Sequence, residues 1–235
     1  MTSQEIKKQL EPLLTNYVIE LKKIENLLTD EILYYKDNHP DWLKNNDFRL
    51  GSFSRILSAI IASKFTATKT LDYLNSEKWE NDFRDKYIPE PWKEADYFGH
   101  FKDIAMLIRF YAFHSIYSQV ETTNRIIMRE KNLRTNSKPG YIVNEITKTY
   151  DEGFIKFIDF IRNAIHTNGY HFPKNANNNK WEYNFKGNDF YFEIGEPIEL
   201  DFDNIINIMN EMIDALVNTL RHEEIVKIKI VPDLT

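Results

Sequence analysis

The sequence predicts an all-α protein with one β-hairpin inserted before its last long helix, and three observations carry that prediction. Apolar residues recur at helical spacing through most of the 235 residues. Only 7 residues are glycine. One stretch alone changes period: "NNNKWEYNFKGNDFYFEIGEPIEL" alternates aromatic and polar residues on both sides of Lys186-Gly187-Asn188-Asp189, as the strands of a hairpin do. A chain of this length buries a substantial core, and the pattern reads as a single helical domain over residues 1–235, with the hairpin at about 180–194.

The first predicted helix covers residues 3–37, with Ile6, Leu10, Leu13, Tyr17, Leu21, Ile24, Leu28 and Ile32 in phase. Pro12 falls inside it and is expected to kink or restart it. "DNHPDW" breaks the run. A second helix is expected over 52–75, capped by Ser52, with Phe53, Ile56, Leu57, Ile60, Ile61 and Phe65 as its buried stripe. "KWENDFRDKYIPEPWKEADYFGH" reads as an ordered connection, because it is too rich in Trp and Tyr for a floppy linker. A long helix over about 95–131 ends in "NLRTNSKPG", the most linker-like segment. The next helix, about 141–167, carries Ile142, Ile146, Tyr150, Phe154, Phe157, Ile158, Ile161 and Ile165. After the hairpin, whose turn is placed at Gly187-Asn188, Asp201 is expected to cap a final helix over 202–222 with Ile205, Met209, Met212, Ile213, Leu216 and Leu220 inward. "IVKIKIV" at 225–231 could form a short terminal strand.

Composition narrows the function classes. The 30 basic and 36 acidic residues give a net charge of −6, which argues against a broadly basic nucleic-acid-binding surface and leaves room for a local one. There is no cysteine, so disulfides, thiolate metal sites and cysteine nucleophiles are excluded. No apolar run approaches the ~18–20 residues a membrane span requires. The amphipathic, acid-bearing start "MTSQEIKKQLEPLL" resembles neither a signal nor a transit peptide. A cytoplasmic protein is therefore expected, with no membrane association and no cofactor.

The stretch that stands apart is "FIDFIRNAIHTNGYHF", residues 157–172. On a helix, Arg162 and His166 are spaced i and i+4 at the edge of the apolar stripe, with Asp159 and Asn163 on the polar flank. Asn168-Gly169 has the composition of a helix stop. A guanidinium and an imidazole that share one focus suit metal-free cleavage of an RNA phosphodiester. There the imidazole moves a proton, the planar fork of the arginine holds the phosphoryl oxygens, and Asn163 orients the histidine or holds the phosphate. A structural alternative stands beside this: basic groups in a last turn complement the helix dipole, Arg162 pairs with Asp159, and His166 caps carbonyls.

"IRNAIHTNG" at the end of an amphipathic helix resembles the HEPN superfamily, whose signature is an Arg, usually followed by a polar residue, and a His a few positions on. The resemblance implies a HEPN-like helical bundle. It further implies a metal-independent endoribonuclease of stress response or phage defence, working as a homodimer on a composite site, with an antitoxin or defence-system protein as a further partner. Arg162, Asn163 and His166 take the catalytic roles on this resemblance, and RNA is the partner. The gap between Arg162 and His166 is three residues, shorter than the family's commonest pattern, which keeps both groups on one helical face. The alternative is a non-catalytic HEPN-like interaction or ligand-binding module.

Further candidate substrate contacts are Asp159, Tyr170 and His171 near the motif, and Arg125 and Arg129 in the basic strip "NRIIMREKNLR". "RFYAFH", Arg109 to His114, reads as a packed core helix that could line the same cleft. His166 and His171 with Asp159 have no standard ligand spacing, so no metal site is expected. The aromatic hairpin is expected to flank the shared cleft of the dimer.

Overall fold

The computed structural model describes residues 3–76, 81–82, 85–86, 98–133, 139–167, 170–171, 180–229 and 231–232. In chain order the helices are α1 (Ser3–Asn38), α2 (Pro40–Lys44), α3 (Phe48–Leu74), α4 (Phe98–Glu130), α5 (Pro139–Thr147) and α6 (Glu152–His166). They are followed by strands β1 (Lys180–Phe185) and β2 (Asn188–Glu193), then α7 (Phe202–Arg221) and α8 (Glu223–Val226). The protein is mostly helical, with one two-stranded antiparallel hairpin before the last long helix.

The long helices share one core. α1 lies along α3, α3 along α4, and α7 packs against α1 and α4. α1 runs through Pro12 without a break, and it is Leu14, fully buried, that takes the core position expected of Leu13, which is 42% exposed. The inward stripe of α7 is as the sequence predicts: Ile205, Met209, Met212, Ile213, Leu216 and Leu220 are all buried. Asp201 caps this helix by accepting a hydrogen bond from the Asn204 amide.

Four expectations are corrected. α3 begins at Phe48, not at residue 52, because Asp47 is its N-cap and accepts from the Arg49 amide; Ser52 lies inside the helix, its hydroxyl bonded to the Phe48 carbonyl and to Thr123 Oγ1. The outer end of that stripe is not buried, with Ile61 and Phe65 46% and 62% exposed. The helix expected over 141–167 is two helices. Lys148 sits at φ +52°, the Asn144 side chain takes both the amide and the carbonyl of Tyr150, and Asp151 starts α6 by capping Phe154. The C-terminal segment forms a helical turn, α8, and then a single bridge from Pro232 to Asp47, in place of a strand.

The hairpin turn falls one residue earlier than expected. Phe185 pairs with Asn188, leaving Lys186 and Gly187 as the two-residue loop, both at positive φ (50° and 85°). Positive φ at both positions matches the right-handed twist of the strands. The hairpin rings pack on α6: Phe157 contacts Tyr183, Phe185, Phe190 and Phe192 at centroid distances of 4.8–5.8 Å. At Gly153 the approach is so close that a Cβ would lie 2.7 Å from Tyr183 Cε2. Most of the connection before α4, the stop at Asn168-Gly169 and most of "NLRTNSKPG" lie outside the described residues.

Candidate functional site

α6 is a two-faced helix, and its faces differ in chemistry. At about 100° per residue, Phe154, Phe157 and Phe160 turn towards the hairpin, while Asp159, Arg162 and His166 follow one another along the flank facing α4. The hairpin therefore covers the phenylalanine side of α6 rather than the Arg162–His166 strip that it was expected to flank. His171 belongs to that aromatic side. It is buried, its ring lies 4.6 Å from Phe160 and 5.3 Å from Phe192, and burial pushes its imidazole below the ordinary value.

On the other flank, α4 brings its own side chains. Tyr117 donates to Asp159 Oδ1 at 2.7 Å, and the guanidinium of Arg162 lies over the Tyr117 ring, 5.9 Å from its centroid. One turn earlier on α4, the His114 ring meets the His166 ring edge to face, with centroids 5.2 Å apart and planes at 90°. Ascending α4 from His114 to Tyr117 thus descends α6 from His166 to Arg162 and Asp159. The two helices run antiparallel, and residues three or four apart on each keep step.

The hydrogen bonding of this cluster is incomplete. Arg162 donates through Nη1 to Asn163 Oδ1 at 3.0 Å. Its Nε is buried with no partner, and so is Nδ1 of His114. Buried polar atoms left unpaired are uncommon and costly, and two of them among the described residues fall within this one contact cluster. His114 resists protonation: burial, then His166, then Arg162 push its imidazole below the ordinary value. Tyr117 is held firmly as a neutral phenol, its pKa raised by burial and by the charge and hydrogen bond of Asp159. His166 itself is exposed at the helix end.

The remaining predicted contacts fall elsewhere. Tyr170 is exposed and bridges Pro197, and its carbonyl accepts from the Thr167 hydroxyl. Arg125 and Arg129 lie ~16 and ~22 Å along α4 from His114 by helix rise. They are engaged by Glu121 and Glu130. Arg109 is turned to the opposite side, donating to the Leu200 carbonyl and lying over the Phe202 ring. Among the described residues no group of three or more His, Asp or Glu is arranged to hold a metal ion, and no helix is long and apolar enough to cross a membrane.

Sequence reasoning placed Arg162, Asn163, His166 and Asp159 together, and the structure does so too. It missed Tyr117 and undervalued His114. The only signal for either was the helical spacing of "RFYAFHSIY", which puts both on one face of α4 but does not say which helix that face meets. Comparison of the chain with protein-family models, with curated proteins and with solved structures finds no match.

Proposed function

We propose that the protein is a metal-independent endoribonuclease of HEPN type, with Arg162 and His166 as its reactive pair. The single observation that supports this most is the Arg162 guanidinium, partly buried and held over Tyr117 beside the paired imidazoles of His114 and His166. A planar cation with a spare donor in a partly buried site suits the non-bridging oxygens of a phosphodiester. In cleavage the ribose 2′-oxygen attacks the adjacent phosphorus and the bond to the 5′-oxygen breaks. Arg162 stabilises the charge that gathers on the phosphoryl oxygens, and an imidazole handles the proton. The products are a 2′,3′-cyclic phosphate and a 5′-hydroxyl, and no metal is required.

The expected homodimer belongs to this reading. Leu107 and Tyr111 share the His114 face of α4 and are 64% and 55% exposed, an apolar strip beside the cleft that a second copy would cover. A role in stress response or phage defence, with a cognate partner, follows from the HEPN resemblance. The second reading is a silent helical module that binds an anion in the same cleft; Asn163 occupying Arg162 Nη1 favours it.

The experiment is an RNA cleavage assay on purified protein with excess EDTA, with the product ends identified. Cleavage that survives chelation and leaves cyclic phosphate supports the ribonuclease. RNA that binds uncut supports the module.

A further inference from the structure

The reaction needs two proton movements, one off the 2′-hydroxyl and one onto the 5′-oxygen. A single imidazole beside an arginine supplies only one of them at a time. We infer that His114 of α4 is the second catalytic imidazole, so that one chain carries a complete acid–base pair, His114 with His166, around Arg162. This inference rests on the ribonuclease reading.

Three observations carry it. The His114 and His166 rings are in edge-to-face contact at 5.2 Å, although 51 residues separate them in the sequence. The contact is anchored from one turn away, where the Tyr117–Asp159 hydrogen bond fixes α4 against α6. His114 is only partly buried, and its Nδ1, itself buried, has no partner among the described residues, so no hydrogen bond at that nitrogen accounts for the placement of the ring.

The charged and titratable groups around His114 separate the two roles. From α6 it faces Arg162 and His166, with Asp159 held by the Tyr117 hydroxyl; along α4 it is followed by Tyr117 and Glu121. The guanidinium and the second imidazole both oppose a proton on His114, as does burial. Burial first, then these two groups, favour the neutral form of His114, which accepts the 2′-hydroxyl proton as the 2′-oxygen bonds to phosphorus. His166, exposed at the end of α6, delivers a proton to the departing 5′-oxygen as the phosphorus–oxygen bond breaks. Afterwards His114 has gained one proton and His166 has lost one, and exchange with water resets the pair.

This assignment differs from a composite site in which the second imidazole is the partner chain's copy of the same helix. In that arrangement His114 would be dispensable.

The test measures kcat and KM against pH on the full chain with an RNA oligonucleotide, for wild type, His114→Ala, His114→Gln and His166→Ala. The same proteins are titrated by NMR at the histidine Cε1–H. His114→Ala is expected to lower kcat by ~100-fold or more with little change in KM, to lose the acidic limb of the pH profile, and to recover partly with added imidazole. His114→Gln, which keeps most of the volume, is expected to fold as wild type and stay equally slow. The His114 midpoint is expected to rise in His166→Ala. Either His114 variant cleaving at the wild-type rate while His166→Ala is dead overturns the inference and points to the partner chain. Wild-type protein that cuts no RNA overturns the ribonuclease reading instead. The NMR arm is then decisive for the pair: a His114 midpoint indifferent to His166 overturns their coupling as well, and a rise upholds it.

Discussion

Two arginines, Arg49 and Arg162, show how differently this chain uses the same side chain. Arg49 is fully buried and engaged through all three of its guanidinium nitrogens. It donates through Nε and Nη2 to Asp47, and through Nη1 and Nη2 to the carbonyls of Ile225 and Ile228. Its guanidinium lies 3.7 Å from the Trp42 ring centroid. Asp47 in turn accepts from the Val231 amide, so the pair ties the start of α3 to the C-terminal segment. Arg162 makes one side-chain bond, to its sequence neighbour Asn163, and leaves Nε unmatched. A guanidinium that is buried and engaged at every nitrogen is closed to a ligand. An under-used one, beside two imidazoles in contact, is open to one.

The comparison breaks first at Arg49. Arg49→Ala leaves Asp47 as a buried carboxylate without its counter-ion and two carbonyls without their guanidinium donor, so a loss of about 3–5 kcal/mol is expected, read by chemical denaturation. A loss near zero would mean that the corner is not the clamp its hydrogen bonds describe. At His166 the expected effect is on rate alone. The side chain is exposed, so His166→Ala is expected to cost less than about 0.5 kcal/mol of stability while lowering cleavage by ~100-fold or more. Circular dichroism and single-turnover kinetics on the same preparation check both parts.

Acid sharpens the contrast between the two regions, because each contains a histidine held below its ordinary value. His39, stacked on Trp42 at 4.4 Å, is lowered by burial and then by Arg49, with Asp47 opposing. His114 is lowered by burial, His166 and Arg162, and His171 by burial. The unfolded chain therefore binds protons before the folded one does. The stability these histidines contribute is present above their unfolded value of 6.5 and is lost as pH falls from there through the folded values. The melting temperature is expected to fall between pH 7 and pH 5; a flat profile would contradict the burial assigned to these three rings.

Tyr117→Phe is the smallest expected change. It removes the hydroxyl bonded to Asp159 and keeps the ring under Arg162, so about 1 kcal/mol of stability is at stake. The same change relaxes the registration of His114 against His166, and a several-fold drop in cleavage rate is expected with it.

How legible all this was from the sequence depended on range. Local signals were readable: the helical periods, the alternating hairpin, the Asp201 cap and the Arg162–His166 spacing all involve residues within a few positions of one another. The start of α3 was misplaced because Ser52 and Asp47 are both good caps, and only the burial of Phe48 and Arg49 chooses between them. The break before α6 has no glycine or proline to announce it; Asn144 and Asp151 make it with side-chain bonds. His114 and Tyr117 were out of reach for a different reason. Their partners lie 52 and 42 residues away on α6, and a helical wheel tells which face a residue shares but not what that face meets.

The measurement that goes to the centre of the account is the cleavage rate of Arg162→Ala in EDTA, taken together with its melting temperature. A rate at least ~100-fold below wild type is expected, with a melting temperature within a few degrees of it, since among the described residues Arg162 makes one hydrogen bond and one ring contact. An unchanged rate would contradict the account, and so would a collapse in stability like that expected of Arg49→Ala.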